Sequence, residues 1–173
     1  MRHRSVIAVS ALLLSLAVCA LAADKPKVRL REFTALDIEN FENPKFQTKE
    51  PMPESWIPLI REDISQRVIQ LHKFRRVMDF EDEKAAKPAA EKVLVLRGKI
   101  TEYSQGSEAA RRLIGLGAGK GKIVALCSFV DKATGNVIWE RKVDGRVIGA
   151  GQSTEGAIKG LSKEVAGVIG GNW

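Results

Sequence analysis

The segment KIVALCSFVDKATGNVIWERKVDGRVIG, residues 122–149, carries the clearest structural pattern in the chain. Its first ten residues form an apolar run bounded by charged residues, which is typical of a buried strand. DKATGN follows and places Gly135-Asn136 at the tip of a turn. The chain then returns in an extended segment, so the pattern predicts a β-hairpin. One side of the returning strand is predicted to present Val137, Trp139, Arg141 and Val143.

Three further segments predict strands that join this hairpin. KVLVLRGKITEYSQG, residues 92–106, is apolar on both faces in its first half, as a central strand is. KVRLREFTALDIENF, residues 27–41, predicts an opening strand with Val28 and Leu30 on one side and Arg29, Arg31 and Phe33 on the other. RRVMDF, residues 75–80, is short enough for only a brief strand.

Two amphipathic helices complete the fold. Apolar residues recur at helical spacing in Ile57, Ile60, Ile64, Val68 and Leu71, and again in Ile158, Leu161, Val165 and Val168 or Ile169. Gly170-Gly171 is expected to end the second helix, and Gly156-x-x-x-Gly160 to let it pack closely on the sheet. One apolar stripe per helix covers one face of a sheet. The predicted fold is therefore an α+β two-layer sandwich with a mostly antiparallel sheet.

The N-terminus has the pattern of a secretory signal peptide. Arg2, His3 and Arg4 precede an apolar run, and Ala20-Leu21-Ala22 is an A-x-A cleavage pattern. The run is shorter than the ~20 residues of a spanning helix, so no transmembrane helix is expected after cleavage. We predict a signal peptide over residues 1–22, a single domain over residues 23–173 and a periplasmic location. The alternative is a lipoprotein tethered through Cys19, although Val18 suits a lipobox poorly.

Composition narrows the function classes. Removing Arg2 and Arg4 lowers the net charge from +7 to +5, and an exported chain of mild charge is not expected to bind nucleic acid. Cleavage after residue 22 also removes His3 and Cys19, so the mature chain keeps one histidine, His72, and one cysteine, Cys127. This excludes an internal disulfide and a Cys/His zinc site. We interpret His72 as capping or solvating a helix and Cys127 as a small buried hydrophobe. No catalytic residue, metal or cofactor is predicted. A hydrolase that uses a pair of carboxylates is not excluded by composition, because any two acidic side chains could meet in the folded chain.

The loop RRLIGLGAGKGK, residues 111–122, resembles a phosphate-binding loop in composition, but its glycines and lysines do not have the spacing of a known nucleotide-binding motif. A Walker A motif needs G-x4-G-K followed by Ser or Thr, and neither lysine satisfies it. The dinucleotide pattern lacks its third glycine, and the loop leads into a strand rather than a helix. Three interpretations stay open: a plain connector, a loop that orders against a protein or lipid, and an anion site. The site would use Arg111, Arg112, Gly115, Gly117, Gly119, Lys120 and Lys122.

A wider pattern surrounds this loop. Gly98, Gly106-Ser107, Ala110-Arg111, Gly115-x-Gly117-x-Gly119-Lys120, Asp131 and Thr134-Gly135 follow one another over residues 98–140. In these residues the chain resembles the DUF4410 family of exported bacterial proteins of unknown function. The resemblance implies a signal-peptide or lipoprotein precursor. It implies no enzyme activity and no catalytic residue.

Two functional hypotheses follow. The first is a non-enzymatic interaction or structural module in the periplasm, whose partners are other envelope proteins or a membrane surface. The second is a protein that binds, or acts on, a small anionic ligand at the loop over residues 111–122. Trp173, at the C-terminus, is expected to be either an exposed aromatic anchor or a frayed end.

Overall fold

The computed structural model describes residues 29–44, 52–78, 91–104, 121–146 and 155–173. Within these ranges a 3-10 turn precedes five strands and two helices, whose order along the chain is β1 (Ala35–Ile38), α1 (Trp56–Gln70), β2 (Arg76–Met78), β3 (Val93–Ser104), β4 (Lys122–Asp131), β5 (Val137–Arg146) and α2 (Glu155–Gly171). The predicted signal peptide and Cys19 lie outside the described residues.

The strands form one five-stranded sheet in the order β2-β1-β3-β4-β5. β3, β4 and β5 are antiparallel neighbours, and the predicted strand of residues 122–131 is confirmed residue for residue. β1 lies between β2 and β3 and is parallel to both, which the sequence pattern did not indicate. The predicted α+β fold with a mostly antiparallel sheet is therefore confirmed, with two parallel pairs added at one side.

Both helices pack on one face of this sheet and form one core with it. The predicted stripe of α1 is buried at Ile57, Ile60, Ile64 and Val68, and that of α2 at Ile158, Leu161, Val165 and Ile169. These side chains meet the inward residues of the strands in a single hydrophobic cluster. Burying apolar side chains at this spacing is what stabilises helices of this length, because propensity alone is marginal.

The predicted hairpin forms between β4 and β5. Gly135 has φ of 73°, a left-handed conformation that glycine adopts without strain, and its N–H donates to the Asp131 carbonyl at 2.8 Å. Phe129 pairs with Trp139, whereas the next residue, Val130, pairs with Val137. Because this bulge inserts one residue, Val137 faces away from Trp139 and is 58% exposed. The prediction that the two share a side is wrong.

The predicted opening strand is also wrong in its first half. Leu30–Glu32 form a 3-10 turn instead, and the strand begins only at Ala35. Leu30 and Phe33 are both buried, although strict alternation would put them on opposite sides. The turn is held from the far end of the chain, because the Leu30 N–H donates to the Asn172 carbonyl at 3.1 Å.

Gly98 lets a distant aromatic ring enter the core. A methyl group at Gly98 would lie 2.1 Å from Cε1 of Phe41, so the ring occupies the space that a side chain would need. Phe41 is only 3% exposed. The adjacent Glu42 continues the pairing with β3, since its N–H donates to the Gly98 carbonyl and its own carbonyl accepts from Ile100.

The end of α2 agrees with one sequence-based expectation and differs from the other. The helix ends at Gly171, as predicted, and the side-chain amide of Asn172 donates to the Val168 carbonyl at 2.7 Å. Trp173 is neither an exposed anchor nor a frayed end. Its ring meets Phe74 edge-on at 4.9 Å between centroids, and Lys73 approaches its face at 5.9 Å.

Candidate functional site

The candidate loop is attached at one end of the sheet. β3 ends there at Ser104, β4 begins at Lys122 and β5 ends at Arg146, and we call this end the loop pole. Both helices start beside it, because the Trp56 ring at the beginning of α1 meets Tyr103 edge-on at 5.7 Å, and Ala157 in the first turn of α2 lies against Gly145 of β5. The loop therefore leaves the fold beside two helix starts and three strand ends.

The opposite end of the sheet, the hairpin pole, holds the turn after Asp131, and the start of β1 lies there too. Leu30 and Asn172 meet at this pole, so the described chain enters and α2 finishes there. β4 alone spans ten residues between the two poles. At about 3.3 Å per residue, the poles are separated by roughly 30 Å.

Most of the proposed anion site lies outside the described residues. Arg111, Arg112, Gly115, Gly117, Gly119 and Lys120 belong to this part of the chain. Lys122 is described, and its ammonium lies 2.7 Å from the Glu102 carboxylate. An anion that binds Lys122 must therefore compete with this carboxylate.

Glu102 is the centre of a charged group at the loop pole. Its pKa is lowered, chiefly by the hydrogen bond from Lys122 and the charge of that lysine, and further by the charges of Lys142 and Arg146. Arg146 also donates to Asp144 at 2.8 Å. Three cations thus face two carboxylates, which leaves a surplus charge of one. These described residues attract anions weakly and do not form a preorganised pocket for one.

Two glycines bring β5 and α2 into backbone contact beside this group. A methyl group at Gly145 would lie 2.4 Å from the Ala157 carbonyl oxygen, and one at Gly160 would lie 2.8 Å from that of Arg146. The prediction that Gly160 serves close packing on the sheet is confirmed. The contact fixes the start of α2 against the end of β5.

Cys127 and His72, which composition left as the candidates for reactive chemistry, both occupy structural positions. Burial raises the pKa of Cys127 to about 12, which keeps the thiol protonated and poorly nucleophilic at neutral pH. His72 is exposed just after α1 with φ of 51°, and its N–H donates to the Ile69 carbonyl at 3.0 Å. His72 thus ends the helix, as its interpretation proposed. Within the described ranges, no group of three or more His, Cys, Asp or Glu side chains could hold a metal ion.

The family model described as "Domain of unknown function (DUF4410)" matches residues 28–156. The chain belongs to the DUF4410 family. The match spans the whole sheet and the loop over residues 111–122, which confirms the resemblance seen in the sequence pattern. Among curated protein sequences, none matches this DUF4410 chain.

Solved structures share the fold of this DUF4410 chain at low sequence identity. A PelC dodecamer from Paraburkholderia phytofirmans is 12% identical with a TM-score of 0.52, covering 82% of this chain and 90% of its own. A PelC dodecamer from the same organism that carries one substitution is 13% identical with a TM-score of 0.56, covering 82% and 89%. A hypothetical protein from Chlamydia trachomatis is 11% identical with a TM-score of 0.52, covering 81% and 97%.

Sequence reasoning found the loop of this DUF4410 chain but missed the charged group beside it. Glu102, Lys142, Asp144 and Arg146 come from two strands, and only the strand register brings them together. The alternation of charge in ERKVDGR, residues 140–146, was the available signal. Across the described parts of the chain, neither helix combines the length and apolar character that a membrane span requires.

Proposed function

We propose that this DUF4410 protein is an exported, non-enzymatic module of the bacterial envelope that acts through contacts with other proteins. The observation that carries the proposal is the separation of the two poles. The described chain enters at the hairpin pole, beside Asn172, while the glycine loop leaves from Ser104 and returns at Lys122 on the opposite pole. Ser104 and Lys122, between which the loop is attached, therefore lie about 30 Å from Leu30, near the start of the described chain.

Assembly with other chains is consistent with this role. The two PelC structures of similar fold are dodecamers, so the fold can serve as the subunit of an assembly. The inert environment of Cys127 and the structural position of His72 support a role without catalysis. In this proposal the mature protein is periplasmic. A lipid anchor at Cys19 would change only its attachment, because Leu30, near the start of the described chain, lies at the pole opposite the ends of the loop.

Photo-crosslinking in living cells tests the contact role. A photoreactive amino acid replaces Arg146 at the loop pole, and a matched variant carries it at Lys132 on the hairpin pole, where the native side chain pairs with Asp37 at 2.6 Å. We expect discrete protein adducts from the loop pole and fewer from the hairpin pole. Equal labelling from both positions, or no adduct from either, would contradict the proposal.

The second candidate is a protein that binds, or acts on, a small anionic ligand at the loop. The excess of positive charge at the loop pole favours it. Lys122, Lys142 and Arg146 all act on Glu102, which lies two residues before the end of β3, where the loop begins. The test is a thermal shift with inorganic phosphate, compared between the native protein and the double variant Arg111→Ala with Lys120→Ala. A phosphate-dependent shift that this variant loses, with folding retained, supports an anion site. Absence of any shift in the native protein argues against it.

A further inference from the structure

β5 is an edge strand of the sheet that the described residues form. Its hydrogen-bonded neighbour among the described residues is β4, and the other edge, β2, has only three residues. An edge strand of ten residues presents a row of backbone N–H and C=O groups that another strand can pair with. Glu140, Arg141 and Lys142 at its middle are all exposed. A partner strand could therefore reach this edge.

The two faces of β5 have different chemistry. Val143 pairs with buried Ala125, and Gly145 contacts Leu161, so these residues face the helices. The alternate residues lie on the open face of the sheet and are all charged, and they are, in order, Glu140, Lys142, Asp144 and Arg146. Their signs run negative, positive, negative, positive. Read in the opposite direction, the same series runs positive, negative, positive, negative.

This order is self-complementary for antiparallel pairing. We propose that β5 pairs with β5 of a second copy of this chain, around a two-fold axis through Val143. Lys142 then lies opposite Asp144 of the second copy, and Glu140 lies opposite Arg146 of the second copy. The two-fold symmetry repeats each pair, so four pairs of opposite charge cross the interface.

The helix-facing side of β5 is compatible with this pairing. Arg141 lies opposite Gly145 of the second copy, which has no side chain to obstruct it, and Val143 lies opposite itself. The described strands of the two copies together form a sheet of ten strands, with their four described helices on one side. No strand has to break its pairing within the single chain, because only the free edge of β5 is used.

Neighbouring registers are unfavourable. An axis through Lys142 places that lysine opposite itself and Glu140 opposite Asp144. An axis through Asp144 places that carboxylate opposite itself and Lys142 opposite Arg146. Both arrangements bring like charges together, which destabilises cross-strand pairs. The charge order therefore favours the register centred on Val143 over these two neighbours, and it is the register that pairs all four charged residues with opposite charges.

The carboxylate of Asp144 adds a second argument. One of its oxygens accepts from Arg146 at 2.8 Å, but Oδ1 is enclosed and has no hydrogen-bond partner among the described residues. An enclosed, unpartnered carboxylate oxygen is unfavourable. The ammonium of Lys142 from a second copy would not reach the enclosed oxygen itself, but it would lie beside the exposed part of this carboxylate and offset its negative charge.

This inference rests on the proposed contact role, because it names a second copy of the chain as one partner. The experiment that tests it uses purified protein and does not depend on cellular location. The full chain is expressed and purified, and its mass in solution is measured over a range of concentrations by analytical ultracentrifugation. We expect a dimer for the native protein. Lys142→Asp and Asp144→Lys should each raise the dimer Kd by about tenfold or more, because each places two like-charge pairs across the axis.

Mixing the two variants gives the sharpest test. Lys142→Asp chains carry two acidic residues at positions 142 and 144, and Asp144→Lys chains carry two lysines, so the mixture should form a heterodimer although each variant alone is monomeric. Lys99→Asp is the matched control, because Lys99 lies on the open face of β3, two strands from the edge. It should leave the native dimer intact.

Several results would overturn the inference. One is a native protein that stays monomeric at every concentration. Another is an oligomer that Lys142→Asp leaves unchanged, including a ring of higher order. A third is a mixture of the two variants that remains monomeric while circular dichroism shows both to be folded. Failure here would leave the proposed envelope role standing, since that role is tested by crosslinking in cells.

Discussion

Replacing Gly98 by alanine tests whether the Phe41 ring holds the centre of β3. The added methyl group would lie 2.1 to 2.5 Å from three atoms of a ring that is only 3% exposed, so the ring must move within a packed core. Overpacking of this kind costs about 1–3 kcal/mol, offset by about 0.5–1 kcal/mol gained when alanine replaces a strand glycine. We expect a net loss of about 1–2 kcal/mol in the free energy of unfolding.

A double-mutant cycle isolates the cause. Phe41→Ala alone should lose about 3–5 kcal/mol, as truncation of a buried phenylalanine does. In that background the space over Gly98 is vacant, so Gly98→Ala should stabilise the fold by about 0.5–1 kcal/mol. The sign of the Gly98→Ala effect thus reverses, which corresponds to a coupling free energy of about 1.5–3 kcal/mol. Equilibrium unfolding in urea measures all four proteins.

Gly167→Ala is the matched control for this cycle. Gly167 is exposed in α2, and a methyl group there would meet no atom within 4 Å. It should gain up to about 1 kcal/mol from helix propensity, with or without Phe41. If Gly98→Ala instead destabilised the native and Phe41→Ala backgrounds equally, the ring contact would not be the reason for glycine at this position.

Three more perturbations follow from the structure. Gly145→Ala and Gly160→Ala should each destabilise the fold by about 1–3 kcal/mol in urea unfolding, because the new methyl groups would meet backbone of the facing element at 2.4 and 2.8 Å; unchanged stability would contradict the close contact of β5 and α2. Cys127, with its pKa raised to about 12, should react with iodoacetamide only as fast as the protein unfolds, as peptide mass mapping would show; rapid labelling of the native protein would refute its burial. Glu102 has a lowered pKa, so its contribution to stability is present above its ordinary pKa of about 4.3 and disappears as the pH falls through the lowered value. Glu102→Gln should therefore make the free energy of unfolding less dependent on pH on the acid side. An unchanged pH dependence would contradict the ion pair with Lys122.

The hydrophobic periodicity and turn residues of short segments were sufficient to predict the helices and the strands that pair with a strand nearby in sequence. The hairpin of β4 and β5 was predicted because both strands and the Gly135 turn lie within one continuous segment. The buried stripes of α1 and α2 were predicted because a helix carries its own periodicity. The order strand, helix, short strand, strand, hairpin and helix follows from the same reasoning.

Features that depend on distant residues were missed. Leu30 adopts a 3-10 turn because Asn172 accepts its N–H, a contact across nearly the whole chain. Trp173 packs edge-on against Phe74, a contact between distant parts of the chain, and is therefore neither an exposed anchor nor a frayed end. The parallel placement of β1 between β2 and β3 likewise depends on pairings that no local alternation encodes.

The candidate site divides in the same way. The loop over residues 111–122 was visible as a glycine-rich basic segment, but the sequence could not show that Lys122 is already paired with Glu102. That pairing depends on the register between β3 and β4, which includes a bulge between Ile100 and Glu102. The self-complementary charge order of β5 was present in the sequence, but only the position of β5 at the edge of the described sheet gives it a consequence.

The export of the protein underlies the proposed role, and the intact mass of the protein recovered from fractionated cells tests it most directly. We expect the protein in the periplasmic fraction with a mass that corresponds to residues 23–173. A mass that corresponds to a lipid-modified N-terminus at Cys19, found in the membrane fraction, would establish the tethered form of the same envelope role. Recovery from the cytoplasm with residues 1–22 still attached would contradict the account.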